Sequence, residues 1–470
     1  MSQSINERDL ALDILLKVTK DKKFSHHAMD QVFSKGHILE KHSRGFISRV
    51  VEGTLENLLE IDYIINQFSN ISTVKMKPTI CNILRISVYQ LKYMRNIPQS
   101  AICNEAVKLA KKRGFSNLSG FINGNLRSIA RNLEDIDYPK GIIPSMEIRY
   151  SIPAWIIEMW LEDYQVEIVE RIAKSFKEKR SLTIRTNLSK NTVDELKEKI
   201  LEEIAQGPGV DNTDLASVDI IKHSYLPYAL KLSGVDYVPG LDSFKNGDFY
   251  IQDVSSMMVG ELVDVNENSY VVDLCAAPGG KSLHIADKMI VACNGKNAKK
   301  HSGLVDSRDV TDKKVALLLE NVNRSGFKNV KVSKKDATIL DDTIISKADI
   351  VIADVPCSGL GVIGRKPDLR YNVSEGTIDE LVKLQRKILT NGYAYLKEGG
   401  ILIYSTCTIS PKENMGNVYW FLESYPSLEL VSIDKKFQKS LKSAIIEKRC
   451  MQMLPGVHDS DGFFIAIFKK

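Results

Sequence analysis

Two cysteines carry the strongest chemical signal in the chain. Cys357 lies in Asp354-Val355-Pro356-Cys357-Ser358-Gly359, and Cys407 in Tyr404-Ser405-Thr406-Cys407-Thr408. Each follows a short apolar run that reads as a strand, 350–353 and 401–404. Both runs lie downstream of a glycine-rich turn, Asp273-Leu274-Cys275-Ala276-Ala277-Pro278-Gly279-Gly280-Lys281-Ser282. In an open α/β sheet the carboxyl ends of the strands converge on one crevice. Two thiols delivered there, beside a nucleotide-type pocket, point to covalent chemistry on an electrophilic carbon. A single strand-end cysteine is more often a small buried hydrophobe. Two of them, each in a tight polar turn, reverse that preference.

Carbon 5 of cytosine is a target that needs such a thiol, because it is a poor nucleophile by itself. A thiolate bonded to carbon 6 makes carbon 5 enamine-like and able to take a methyl group from a sulfonium. The carbon-5 proton must then leave and the thiol be eliminated. One cysteine accounts for the addition, and a second can assist breakdown of the adduct. Asp354 could hydrogen-bond the amino edge or N3 of the base and stabilise charge there. Lys281 or a helix terminus could favour the thiolate.

The glycine turn ends a buried strand, Val271-Val272-Asp273-Leu274, and opens a helix. Small residues let backbone N–H groups approach a ligand, and the helix N-terminus favours anionic groups. Gly280-Lys281-Ser282 fits the end of a phosphate-binding loop, but Cys275 stands where its first glycine belongs. A nucleotide triphosphatase, with Asp354 as its magnesium acid, is therefore a rival. A nucleoside cofactor without phosphates fits better. Asp309, after the second strand, can accept from ribose hydroxyls, with Asp306 as a nearby alternative; Asp336, after the third, can contact the base. Each acid alone is more often a surface carboxylate or a helix cap, and their strand-by-strand order is what raises the functional reading. S-adenosylmethionine fits such a pocket.

The elements that position these groups can be read by period. From about residue 247 strands alternate with helices: strands at 270–274, 304–309, 330–333, 349–354, 401–405 and 463–468, helices at 282–289, 311–324 and 377–396. This is a doubly wound, mainly parallel sheet, an α/β fold of Rossmann-like type. Residues 291–302 read as a surface insertion. Residues 1–140 carry helical periodicity, with Leu10, Ile14, Leu15 and Val18 on one face and Ile80, Leu84, Val88 and Leu91 on another. Pro139, Gly141 and Pro144 then punctuate the chain. A small α+β connector is expected over 141–240, with a helix at 155–177, a strand at 181–186, a charged helix at 192–204 and a loop at 205–214. The expected domains are thus 1–140, 141–240 and 241–470.

At 470 residues, two or three domains are expected, and 43% apolar with 26% charged residues is a globular composition. The net charge of +5 is mild, but residues 1–140 hold 21 Lys and Arg against 14 Asp and Glu. Lys108, Lys111, Lys112 and Arg113, then Arg127 and Arg131, form the basic clusters, which a solvated helix face would explain equally well. Seven cysteines without regular spacing make no disulfide framework, and no Cys-x-x-Cys pair predicts a zinc site. No metal is expected. The polar N-terminus and the lack of an apolar run of about 18 residues predict a cytoplasmic protein without a membrane span.

With these motifs assembled, residues 240–470 resemble the RNA cytosine-C5 methyltransferases of the Nol1/Nop2/Sun family. The resemblance rests on Asp273 to Lys281, Asp309 with Asn321, Asp336, Asp354 to Gly359 and Ser405-Thr406-Cys407. Gln252-Asp253, Arg365 to Asp368, Leu384-Gln385, Glu413-Asn414 and Asp461 to Phe464 are also family-like. The resemblance implies Cys407 as nucleophile and Cys357 as the group that assists release. It also implies that Asp309, Asp336, Asp354 and the backbone of Cys275, Ala276, Ala277, Pro278, Gly279, Gly280 and Lys281 hold S-adenosylmethionine. Residues 1–140 are similar to NusB-like RNA-binding domains, through Arg8 to Leu15 and Gln99 to Lys108. That fusion is the architecture of bacterial enzymes that methylate 16S ribosomal RNA, which becomes the expected partner, bound through the N-terminal domain and the catalytic cleft, with the target base unstacked. Tyr371 is a candidate stacking residue. Two rivals are a transfer RNA substrate and a non-catalytic RNA-binding protein of the antitermination type.

Overall fold

Ile14, Leu15 and Val18 are buried on the helix Glu7–Thr19 of the computed structural model, as their spacing predicts. Asn6 caps that helix by accepting the Asp9 N–H at 3.0 Å. Ile80, Leu84, Val88 and Leu91 are buried on Pro78–Tyr93, where Pro78 sits in the first turn and costs no helical hydrogen bond. The structure describes residues 6–34, 40–178, 181–206, 218–235, 237–293, 303–433, 441, 444–446 and 449–470.

The chain divides into two compact units, Met1–Glu178 with Ile363–Ser374, and Lys179–Val362 with Glu375–Lys470. The expected connector over 141–240 is divided between them: its residues up to Glu178 belong to the first unit, and those from Lys179, the charged helix and the strands included, to the second. The first unit is helical, around a core that includes Leu12, Ile47, Val51, Ile61, Ile83 and Leu126. Asp368 accepts the Ser25 N–H at 3.0 Å and its hydroxyl at 2.8 Å. Buried Arg370 donates to the carbonyls of Tyr150 and Ser151, both at 3.0 Å. The Tyr371 hydroxyl donates to the Leu55 carbonyl at 2.9 Å, so this residue braces helices and is not a stacking face at an entrance.

The single helix expected over 155–177 is two, Ala154–Asp163 and Val166–Ser175, with Tyr164 extended between them. The reason is geometric. Trp160 and Val169 are both buried, yet nine residues is two and a half turns, which would put them on opposite faces of a straight helix. The charged helix forms as Val193–Gln206, with Thr192 and Glu195 in a reciprocal capping box. Of the loop expected at 205–214, residues 205 and 206 end that helix and the rest lie outside the described residues.

The second unit contains two sheets. The smaller comprises β1 (Leu182–Thr186), β2 (Asp219–Lys222), β3 (Ala229–Ser233) and β4 (Phe249–Ile251), antiparallel in the order β2-β3-β1-β4. The larger comprises β5 (Tyr270–Asp273), β6 (Leu304–Asp309), β7 (Val330–Lys334), β8 (Ala348–Asp354), β9 (Leu396–Thr406), β10 (Glu429–Leu430), β11 (Ile445–Ile446), β12 (Cys450–Met453) and β13 (Phe463–Lys469). Its order is β11-β12-β13-β9-β8-β5-β6-β7, with β10 on β13. The run from β9 to β7 is parallel, and β13 lies antiparallel to β9. Helices Gly280–Ala292, Asp312–Ser325 and Glu375–Tyr395 make the crossovers expected of a doubly wound fold. Strand order reverses at β5, so the crevice opens where β5 and β8 end side by side. The insertion expected at 291–302 begins as the end of a helix and continues outside the described residues from 294.

Candidate active site

Register delivers the two thiols together. Asp354, ending β8, pairs with Ser405 on β9, and the cysteines follow three and two residues later. Their sulfurs lie 3.2 Å apart, both half-buried. Sharing that hydrogen bond, and burial after it, hold the Cys357 thiol well above its ordinary pKa. The Gly361 N–H donates to the Cys407 carbonyl at 3.0 Å, and the Gly462 N–H to the Gly361 carbonyl at 2.9 Å. A side chain on Gly361 would overlap the Gly462 backbone, so this close approach requires glycine.

Both cysteine turns are gripped from behind. Fully buried Glu413 accepts the Ser358 N–H at 2.8 Å and the Ser358 hydroxyl at 2.5 Å. The Ser358 hydroxyl also lies 2.7 Å from that of Thr408. The Gln385 amide donates to Glu413 at 3.0 Å and to the Pro356 carbonyl at 2.9 Å. Asn414 accepts from the Thr406 hydroxyl at 2.6 Å and donates to the Thr408 carbonyl at 3.1 Å.

Asp354 accepts Lys281 at 2.6 Å and the Ser405 hydroxyl at 2.8 Å. The charge of Lys281 is thus committed to this carboxylate and to the Phe463 ring, 5.2 Å from its centre, in place of the thiols it was expected to activate. Asp354 remains partly open, at 28% side-chain exposure, enough to meet a base edge.

The glycine turn joins β5 to the helix that starts at Gly280. Gly279 has φ +113°, and a Cβ there would stand 2.9 Å from Leu318. Asp309, at the end of β6, accepts the Ala277 N–H at 3.0 Å and the Val310 N–H at 2.8 Å, so it orders the turn from Cys275 to Gly280. Asn321 holds the Pro278 carbonyl at 2.8 Å. Asp306 lies on the other face of the pleat and is paired with Arg308 at 2.5 Å. Asp336 lies just past β7, exposed, one oxygen accepting from Thr338. Burial and the charges of Asp273, Asp309 and Asp354 raise the Cys275 thiol, so this third sulfur is a poor nucleophile. Ser282, which a triphosphatase would offer to magnesium, donates instead to buried Asp273 at 2.6 Å. Burial pushes the Asp273 carboxyl up to about 7. Among the described residues no cluster of His, Cys, Asp and Glu is arranged to hold a metal ion, and no helix is long and apolar enough to cross a membrane.

Sequence reading missed Arg185. It rises from β1, donates to Gln252 at 2.9 Å and meets Asp287 at 3.3 Å. The Gln252 side chain lies 3.4 Å from where a Cβ on Gly280 would stand. No local signal marks this residue, because its partners come from distant segments. In the helical unit, Lys112 and Arg113 are paired with Asp9 and Asp13, at 2.7 and 2.8 Å. Lys108 and Arg127, with Asn104, Ser119 and Asn123, line a groove of about 430 Å³.

Residues 261–469 match the family model described as 16S rRNA methyltransferase RsmB/F, and residues 5–131 match the NusB family. A Bacillus subtilis (strain 168) protein named "Probable ribosomal RNA small subunit methyltransferase B" is 34% identical, over 98% of each chain. One of the same name from Synechocystis is 30% identical, over 99% of this chain and 100% of its own. Among solved structures, that of PH0851 is similar over 100% of both chains, with 26% identity and a TM-score of 0.78. NSun6 from Pyrococcus horikoshii with SFG shares the fold over 68% of this chain and 98% of its own, with 22% identity and a TM-score of 0.56.

Proposed function

The chain belongs to the ribosomal RNA small subunit methyltransferase B family, and from that membership we propose that it methylates carbon 5 of a cytosine in 16S ribosomal RNA through a transient bond from Cys407 to carbon 6. The observation that carries this reading is the pair of sulfurs 3.2 Å apart beside Asp354 and the glycine turn. A single-thiol or thiol-free methyltransferase has no use for that pair.

The residues fit S-adenosylmethionine as the donor. Gly279 and Gly280 leave the turn free of side chains, acids stand at the ends of β6, β7 and β8, and Lys281 and Lys314 are paired with Asp354 and Asp309. Asp309, Asp336, Asp354 and the turn from Cys275 to Lys281 would hold it. When bound, the donor supplies a methyl group on sulfonium sulfur and leaves as a neutral thioether.

Ionised Cys407 bonds carbon 6, and the electron pair this places on carbon 5 takes the methyl group. Asp354 hydrogen-bonds the amino edge or N3 of the ring and holds the face of carbon 6 toward that sulfur. A solvent base then removes the carbon-5 proton. Its electron pair restores the double bond and expels the Cys407 thiolate, to which the Cys357 thiol donates as it departs. RNA phosphates would be met by the helical unit, where Lys108 and Arg127 have no acidic neighbour as close as those of Lys112 and Arg113 beyond the surface pair of Lys108 with Glu105.

Incubation with labelled S-adenosylmethionine and either 16S ribosomal or transfer RNA tests substrate and chemistry together. Label at carbon 5 of cytosine in 16S RNA is expected; label only in transfer RNA changes the substrate, and none in any RNA supports the binding-protein alternative. Cys357→Ala should accumulate an RNA-linked band on denaturing gels, and Cys407→Ala should not. The reverse pattern would exchange the two roles.

A further inference from the structure

We propose that Glu413 is the positioning residue that assigns the two cysteines their roles, keeping the proton on Cys357 so that Cys407 is the sulfur that attacks. The inference rests on the two-thiol reading above and adds the reason for its asymmetry. Two thiols 3.2 Å apart at the ends of neighbouring strands are otherwise nearly equivalent, and something in the protein must distinguish them.

Glu413 is fully buried, and the groups that donate to it, Ser358 and Gln385, are neutral. A carboxylate kept from water with neutral donors projects its charge strongly onto its neighbours. The charge is applied unevenly. Ser358 directly follows Cys357 and gives Glu413 both its N–H and its hydroxyl. Thr408 directly follows Cys407 and reaches Glu413 only through Ser358. Because the Ser358 hydrogen is given to the carboxylate, the Thr408 hydroxyl must be the donor in the contact between the two hydroxyls. The carboxylate therefore stands one bond from the Cys357 turn and two from the Cys407 turn.

Of the groups that bear on Cys357, Cys407 and Glu413 oppose a charge on its sulfur, and only the Gly359 backbone favours one. A protonated Cys357 cannot compete for carbon 6, and it can donate to the Cys407 sulfur both before attack and as that sulfur departs. The same clamp fixes the distance over which it donates.

The test is alkylation of the intact protein by iodoacetamide across pH, with peptide mapping to follow Cys357, alongside RNA adducts on denaturing gels. Glu413→Gln should lower the pH midpoint of Cys357 alkylation by at least one unit, a tenfold gain in rate at pH 7.5, and should accumulate RNA-linked protein while the KM for S-adenosylmethionine stays within twofold. Glu413→Asp should restore the midpoint. A folded Glu413→Gln protein with the wild-type midpoint overturns the proposal. Ser358→Ala is the second variant, since it retains the carboxylate but cuts its link to Thr408. Its midpoint should stay high, and a fall of a full unit there also overturns the proposal. If Cys357→Ala itself traps no adduct, the two-thiol reading fails; if it does and Glu413→Gln leaves Cys357 unchanged, only this inference fails.

Discussion

Arg185 meets Asp287 at 3.3 Å, joining the centre of the small sheet to the helix opened by the glycine turn. Both side chains are buried, and Asp287 also accepts the Leu188 and Ser189 N–H groups at 3.0 and 2.9 Å. Removing one partner of a buried ion pair leaves the other uncompensated, at a cost of about 3–5 kcal/mol. Arg185→Met should therefore lower the melting temperature by many degrees. Arg185→Lys keeps the charge but not the second donor that holds Gln252 against Gly280. It should stay folded and bind S-adenosylmethionine about tenfold more weakly in titration calorimetry, a loss of about 1.4 kcal/mol. Unchanged affinity in a folded Arg185→Lys protein would show that the small sheet does not set the geometry of the turn.

The Gly361 backbone touches that of Gly462 while donating to the Cys407 carbonyl. Gly361→Ala must push these two loop segments apart, a misfit of about 1–3 kcal/mol that a protein of this size can survive. Methylation should fall about a hundredfold with the far-ultraviolet circular dichroism unchanged, because displacement by about 1 Å spoils an attack geometry. Gly45→Ala is the control. It lies within the helix Lys41–Glu56 with open space around it, and should stabilise by about 0.5–1 kcal/mol without affecting activity.

Asp273 links the site to pH. Its carboxyl sits near 7 in the folded chain against an ordinary value of 3.8, with burial as the main cause. Below pH 4 both folded and unfolded chains carry the proton and there is no penalty. Between 4 and 7 the unfolded chain releases it and the folded chain retains it, so stability falls as pH rises, and levels off above 7. Asp273→Asn removes this dependence. Urea unfolding at pH 5 and pH 8 should show the variant gaining on the wild type at the higher pH, by at most about 3 kcal/mol. Parallel curves would mean that Asp273 is ionised throughout.

The central parallel strands β5, β8 and the second half of β9 were legible because they are largely buried and read as apolar runs, and Asp354 and the two cysteines follow close behind. The pleat separates the two candidate acids: Asp306 and Arg308 share one face and pair with each other, while Asp309 turns to the other. The small sheet was mostly missed, since β4 is three residues long and alternation over so few positions is no signal. Glu413 was noticed only as part of a family-like pair. In sequence, Lys412-Glu413-Asn414 reads as a polar surface tripeptide, and its burial depends on Ser358 and Gln385 arriving from other elements. Helix 155–177 failed for a related reason. Its break follows from which neighbours cover Trp160 and Val169, and that is a tertiary fact.

The basic residues of the helical unit divide into two kinds, and salt dependence should separate them. Arg113 meets Asp13 at 2.8 Å and is also bound by Asp9, so its charge is neutralised within the fold. Lys108 and Arg127 line a groove, and Lys108 has only an exposed pair with Glu105, worth little in water. Each phosphate contact contributes about 0.7–0.9 to the slope of log affinity against log salt concentration. The double variant Lys108→Ala, Arg127→Ala should bind 16S RNA fragments more weakly and reduce that slope by about 1.5, with melting temperature unchanged. Arg113→Ala should do the opposite, losing stability by about 1 kcal/mol from the broken pairs while the slope stays as in the wild type. An unaltered slope in the double variant would move the RNA surface to another face of the helical unit.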